Sequence, residues 1–202
     1  MAVILDFLGQ SWLGAILGLL GLAFGVYQIY RRTGARLLYQ CRGQKLIDGN
    51  RGLLPNSIVV HYDGKPVPRV SLSQIVIWNA GRAPVRGVDI TLQDPLMFSF
   101  GDDAEILRVD IAKCTRGSIG PAVIIDDTAP GRFKCSFSFL DHHDGLLIRV
   151  IHTGNRTVPH SSGTIIGLPK GLEYFGRIPI PNRKLPRLAR RSEISFADRV
   201  LY

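Results

Sequence analysis

The run FLGQSWLGAILGLLGLAFGVYQIY, residues 7–30, carries no charged side chain and is closed by Arg31 and Arg32. As a helix rising ~1.5 Å per residue it reaches roughly 36 Å, enough for a hydrocarbon core about 30 Å thick. A helix satisfies its own backbone where water is absent. Trp12, Tyr27 and Tyr30 stand near its ends, where amphipathic rings settle at headgroups. The expectation is one transmembrane helix within residues 1–34. No Lys or Arg precedes Arg31, and basic flanks favour the cytoplasm, so the N-terminus is expected outside and the remainder inside. A cleaved leader fits less well, because a basic n-region is missing and the run ends in a stop-transfer pair. The expected localisation is the inner membrane, single-pass, with a cytoplasmic C-terminal domain.

Within that run Gly14, Gly18, Gly21 and Gly25 fall on one stripe of a helix. Small residues there let a second helix approach closely, which points to a homo-oligomer formed through the span, with membrane lipid as its surroundings. Nothing ionisable lies at mid-span, so the mark of an ion pathway is missing.

The remaining residues suit one globular domain with a tail. The net charge of +9 is unevenly placed: residues 31–36 carry +3, residues 177–202 carry +5 and residues 37–176 only +2. A nucleic-acid reader usually has a basic face of its own, so nucleic acid is not an expected partner. The tail cluster Arg183, Lys184, Arg187, Arg190 and Arg191 suits an anionic lipid surface or a protein partner. Cys41, Cys114 and Cys135 are odd in number and lack a CxxC pair, which indicates neither a zinc site nor a disulfide framework.

From residue 35 the pattern turns to strands. Segments 57–62, 70–78, 85–92, 97–100, 106–112, 123–125, 133–140, 146–153 and 164–166 are β-branched or alternating, with turn residues between them. A phase change between Leu72 and Ile75 suggests a bulge or a strand starting at Ser73, and Val88, Ile90 and Leu92 are expected to point inward. The clearest hairpin joins 133–140 to 146–153 through Asp141–Gly145. Short strands with frequent turns argue a mainly β protein, an antiparallel β-sandwich, with an open barrel as runner-up. The expected organisation is a transmembrane helix (1–34), a β-sandwich domain (35–176) and a basic segment (177–202).

The stretch IVIWNAGRAPVRGVDITL, residues 75–92, resembles the strand–Asn-x-Gly–strand hairpin of bacterial immunoglobulin-like domains of the adhesion and cell-envelope type. More loosely, one N-terminal helix followed by a β-sandwich resembles a set of bacterial membrane-anchored proteins, some of which act in anti-phage defence. There the β-domain senses a signal and the helices damage the membrane. The resemblance implies a non-catalytic sensor and effector whose sandwich binds a partner or small anionic signal. A passive membrane anchor or scaffold for another protein is the alternative.

Asn79, Arg82 and Arg86 form a possible ligand loop for an anion such as a nucleotide, although Asn and Gly are also ordinary turn formers. Asp141, His142, His143 and Asp144, with His152 or His160, offer metal-ligand types, but adjacent strand residues point to opposite faces. The turn is therefore preferred and no metal is expected. Asp102-Asp103 and Asp126-Asp127 would have to converge to act as an acid–base pair. GxSxG, Walker A and GxGxxG are missing, so neither an enzyme nor a cofactor is expected.

Overall fold

The computed structural model describes residues 11–32, 34–48 and 60–177. The chain divides into two units, Met1–Gly34 and Ala35–Tyr202. The first contains, among the described residues, one helix, α1 (Ser11–Arg32). Among the described residues no helix is long and apolar enough to cross a membrane. This finding corrects the expected transmembrane helix, and with it the single-pass inner-membrane topology, the lipid partner and the oligomer formed through the span. Gly14, Gly18, Gly21 and Gly25 lie in α1, and around each of them nothing comes within 4 Å of where a Cβ would stand.

The second unit is mostly β. In chain order its strands are β1 (Leu37–Asp48), β2 (Val60–Tyr62), β3 (Lys65–Val67), β4 (Arg69–Asn79), β5 (Val85–Arg86), β6 (Met97–Ser99) and β7 (Ile106–Cys114). They continue with β8 (Ala122–Ile125), β9 (Arg132–Ser136), β10 (Phe139–Leu140), β11 (Gly145–His152), β12 (His160–Ser162) and β13 (Leu172–Arg177). Five form a sheet in the order β13-β1-β4-β11-β7, and four form a second in the order β12-β6-β9-β8. Two-stranded ribbons β10-β5 and β2-β3 complete the set.

The larger sheet is mixed, because β13 runs parallel to β1 while the other pairs are antiparallel. The expectation of a purely antiparallel sandwich is corrected on that point. Both large sheets are open-ended, unlike a barrel.

Alternation supplies the shared core. Tyr39, Ile75, Ile77, Leu146 and Ile148 from the larger sheet join Phe98, Phe133 and Cys135 from the smaller one. The Tyr39 ring meets Phe98 edge-on at 5.6 Å, and Phe98 stacks on Phe133 at 5.1 Å. A second apolar cluster, Leu38, Val76, Trp78 and Leu147, occupies the alternate positions of the larger sheet.

Several local expectations change for physical reasons. β4 runs unbroken: Ser71, Ser73, Ile75 and Ile77 are all buried while Leu72 and Gln74 are half-buried. Buried serines produced the apparent phase change, and the register shifts fall in the pairings of β1 and β7 instead. Beyond Arg86 the strand gives way to a 3₁₀ turn, Gly87–Asp89. The Gly87 N–H donates to Ser138 O at 2.8 Å, and the Phe137 carbonyl sits where a Cβ would be. Val88 and Leu92 consequently face solvent, 83% and 98% exposed.

The two expected hairpins also separate. β11 pairs with β4 and β7, whereas β10 pairs with β5. The turns at 79–84 and 141–145 therefore carry the chain between sheets. By contrast Asp63 and Gly64, both at positive φ, form the two-residue turn of β2–β3.

Candidate anion pocket

Each outward position in the smaller sheet follows from an inward one. Phe98 and Phe133 pair across β6 and β9 and are fully buried. Their neighbours therefore point the other way, and the register aligns His160, Ser99 and Arg132 across β12, β6 and β9. Ser162 and Met97 make the next row. With Gly101, Asp102 and Arg156 these residues line an open pocket of about 420 Å³. Ligand sites of small molecules typically occupy roughly 300–1,000 Å³.

The polar groups of the pocket are mainly donors: two guanidiniums, an imidazole and two hydroxyls. Arg132 Nη2 donates to Asp102 Oδ1 at 3.0 Å. The Gly101 N–H donates to Ser99 Oγ at 3.3 Å. Arg156 is exposed and forms no ion pair among the described residues.

A Ser–His pair lies elsewhere, with the wrong polarity for catalysis. Ser73 Oγ donates to Thr157 O at 2.7 Å and lies 2.9 Å from His152 Nε2. The Gly154 N–H donates to His152 Nδ1 at 3.1 Å, which leaves the ring proton on Nε2. The histidine thus donates to the serine and cannot take its proton. Both residues are fully buried, His152 stacks on Phe100 at 3.8 Å, and burial pushes its pKa down to about 4. Burial also pushes the Cys41 and Cys135 thiols up to about 12, and all three cysteines are free.

The Asp141–Asp144 turn is built around Arg116. The guanidinium donates to Asp141 Oδ2 at 2.7 Å and to both Asp144 oxygens, and its carbon lies 5.3 Å from the Phe139 ring centre. Thr115 Oγ1 and the Asp141 N–H also donate to Asp144, whose side chain is 9% exposed. Burial alone would push the Asp144 carboxyl up; its bonds to Arg116, Thr115 and Asp141 outweigh this and hold it below the usual range. His142 Nδ1–H donates to Gly81 O at 2.7 Å, and the His142 and His143 rings lie 3.7 Å apart. Among the described residues no three His, Cys, Asp or Glu side chains converge as a metal set. Asp144→Ala strands three donors, and an unfolding titration is expected to show a loss of about 2 kcal/mol.

In the loop 79–86 the Asn79 amide is fully engaged. Its Nδ2 donates to Ala83 O and Leu140 O, and its Oδ1 accepts from the Gly81 and Arg36 N–H groups. Arg82 and Arg86 are exposed, and neither lines the pocket. Asp102 faces Arg132, whereas Asp126 accepts from Thr128 within its own turn. Arg183, Lys184, Arg187, Arg190 and Arg191 lie outside the described residues. Sequence reasoning named His160 and Asp102 for other roles and passed over Arg132 and Arg156. The alternation around Phe133 was the available signal, since it puts Arg132 on the wet face.

No protein-family model, no curated protein and no solved structure matches the chain. The structure itself corrects the resemblance to immunoglobulin-like and defence-type membrane proteins, and the membrane effector it implied. The 75–92 segment is no hairpin, and no membrane-crossing helix accompanies it among the described residues.

Proposed function

We propose that the β-rich unit is a non-catalytic binding domain that holds the phosphate group of a small molecule in the pocket on its smaller sheet. The observation that carries this reading is the convergence of Arg132, Arg156 and His160 on one concave surface with Ser99 and Ser162. Guanidiniums match phosphate oxygens with paired, charge-assisted bonds. Concavity favours a small ligand over a macromolecular face. Among the described residues no base is bonded to a pocket hydroxyl, which favours binding over turnover.

The test is titration of the full chain with inorganic phosphate, followed by backbone amide shifts. Saturable shifts are expected around Ser99, Arg132 and His160. Arg156→Gln, at an exposed position, is expected to weaken binding at least five-fold and leave the fold unchanged. Shifts scattered over the surface, or an unaltered affinity in the variant, would dismiss the pocket.

A further inference from the structure

The pocket is larger than a phosphate, and the rest of its lining shows what fills it. Asp102 is the acidic residue of the lining, where a pure anion site would have none. Its Oδ1 is held by Arg132 at 3.0 Å, while the side chain is 91% exposed. The turn that carries it is anchored from below. The Phe100 N–H donates to Gly131 O at 3.0 Å, and the Ala104 N–H donates to Gly101 O at 3.3 Å. Gly131 lies so close to the Gly101 and Ala104 carbonyls that a Cβ there would strike them. The turn is therefore fixed, and the Asp102 carboxylate stands as an exposed acceptor at the rim of a donor-rich pocket.

Resting on the phosphate-binding reading above, we infer that the ligand is a hydroxylated phosphate monoester of the sugar-phosphate class. Arg156 and His160 take the phosphate, and Asp102 accepts hydrogen bonds from the hydroxyls. A carboxylate with a free oxygen accepts from hydroxyl donors and repels a second anion. Arg132 orients the carboxylate from its other side and stays charge-balanced as the ligand enters. The polar portion of the ligand meets Ser99 and Ser162, and the single long apolar side chain of the lining is Met97. Among the described residues the lining contains no Phe, Tyr or Trp for a nucleobase to stack on, and its one imidazole, His160, is taken by the phosphate, which favours this class over nucleotides.

The experiment uses the full chain with four probes: inorganic phosphate, methyl phosphate, ribose 5-phosphate and adenosine 5′-monophosphate. Ribose 5-phosphate is expected to bind at least ten-fold more tightly than methyl phosphate, with adenosine 5′-monophosphate no tighter than ribose 5-phosphate. Asp102→Ala is expected to erase the ribose advantage while leaving methyl phosphate binding within two-fold, and Arg156→Gln to weaken both. Circular dichroism of each variant checks the fold, which an exposed side chain does not support.

Equal affinity for ribose 5-phosphate and methyl phosphate overturns the inference, as does a markedly tighter nucleotide. An Asp102→Ala variant that shifts both phosphates alike also overturns it, because the carboxylate would then act only through its charge. In each of those cases inorganic phosphate still binds and the pocket reading survives. Failure of inorganic phosphate to bind the unaltered chain removes the pocket reading itself.

Discussion

Phe98→Ala is expected to lower the unfolding free energy by about 3 to 5 kcal/mol, the range of large aromatic deletions from packed cores. Phe98 is fully buried. It touches the larger sheet through Tyr39 and its own, smaller sheet through Phe133. Truncation would remove contacts on both sides and leave a cavity between layers that backbone pairing holds apart. Met97→Ala is the control. Met97 precedes Phe98 on β6, points to the opposite face and is half-buried, so its loss should cost well under half as much. Urea titrations of both variants measure the difference. Equal losses would mean that the core is not centred on Phe98.

Acidification gives the second large effect. His152 is neutral in the fold, with burial holding its pKa near 4, against roughly 6.5 in the unfolded chain. Between those values the unfolded state binds the proton and the folded state refuses it. Stability attached to this group is therefore complete above about pH 6.5 and drains away as pH falls toward 4. A depression of that size corresponds to about 3 kcal/mol in all. The slope should vanish in His152→Gln, which keeps a polar side chain but cannot titrate. The contribution of Asp144 has the same sign at lower pH: it is present above the usual carboxylate range, near 3.9, and lost as pH falls through its depressed value. An unfolding free energy that is flat between pH 7 and pH 4.5 would contradict the burial of His152.

The strands were legible where one face is aromatic or aliphatic without exception. Phe133, Cys135 and Phe137 alternate in the chain and are buried in the fold. The cluster Asp63-Gly64-Lys65-Pro66 reads as a turn in the sequence, but only Asp63 and Gly64, which tolerate positive φ, form it; Lys65 and Pro66 belong to β3. Partnership between strands was not. Nothing in residues 133–153 reveals that β11 already has a neighbour on each edge, so a turn between sheets looked like a hairpin. β13 was invisible because LEYFGR mixes Glu, Arg and Gly with its apolar residues; the open edge of β1 makes it a strand. The buried Ser71, Ser73 and His152 appeared polar enough to face water until the fold gave them one another and the carbonyls of Gly154 and Thr157. The pocket combines residues from three strands and two loops, and local periodicity cannot register such distant neighbours. The leading apolar run suggested a span by composition, whereas among the described residues no helix is long and apolar enough to cross a membrane.

The parallel pairing of β13 with β1 joins the earliest and latest strands of the sheet. A nascent chain leaving the ribosome can zip β1 onto β4 early, but that strand's other edge must wait until almost the whole domain has emerged. Contacts so remote in sequence slow the search for the native state. Throughout that interval an unpaired strand edge is available to the wrong neighbour. Recovery of this protein during synthesis should thus depend more on how quickly translation finishes than on the stability of the completed molecule.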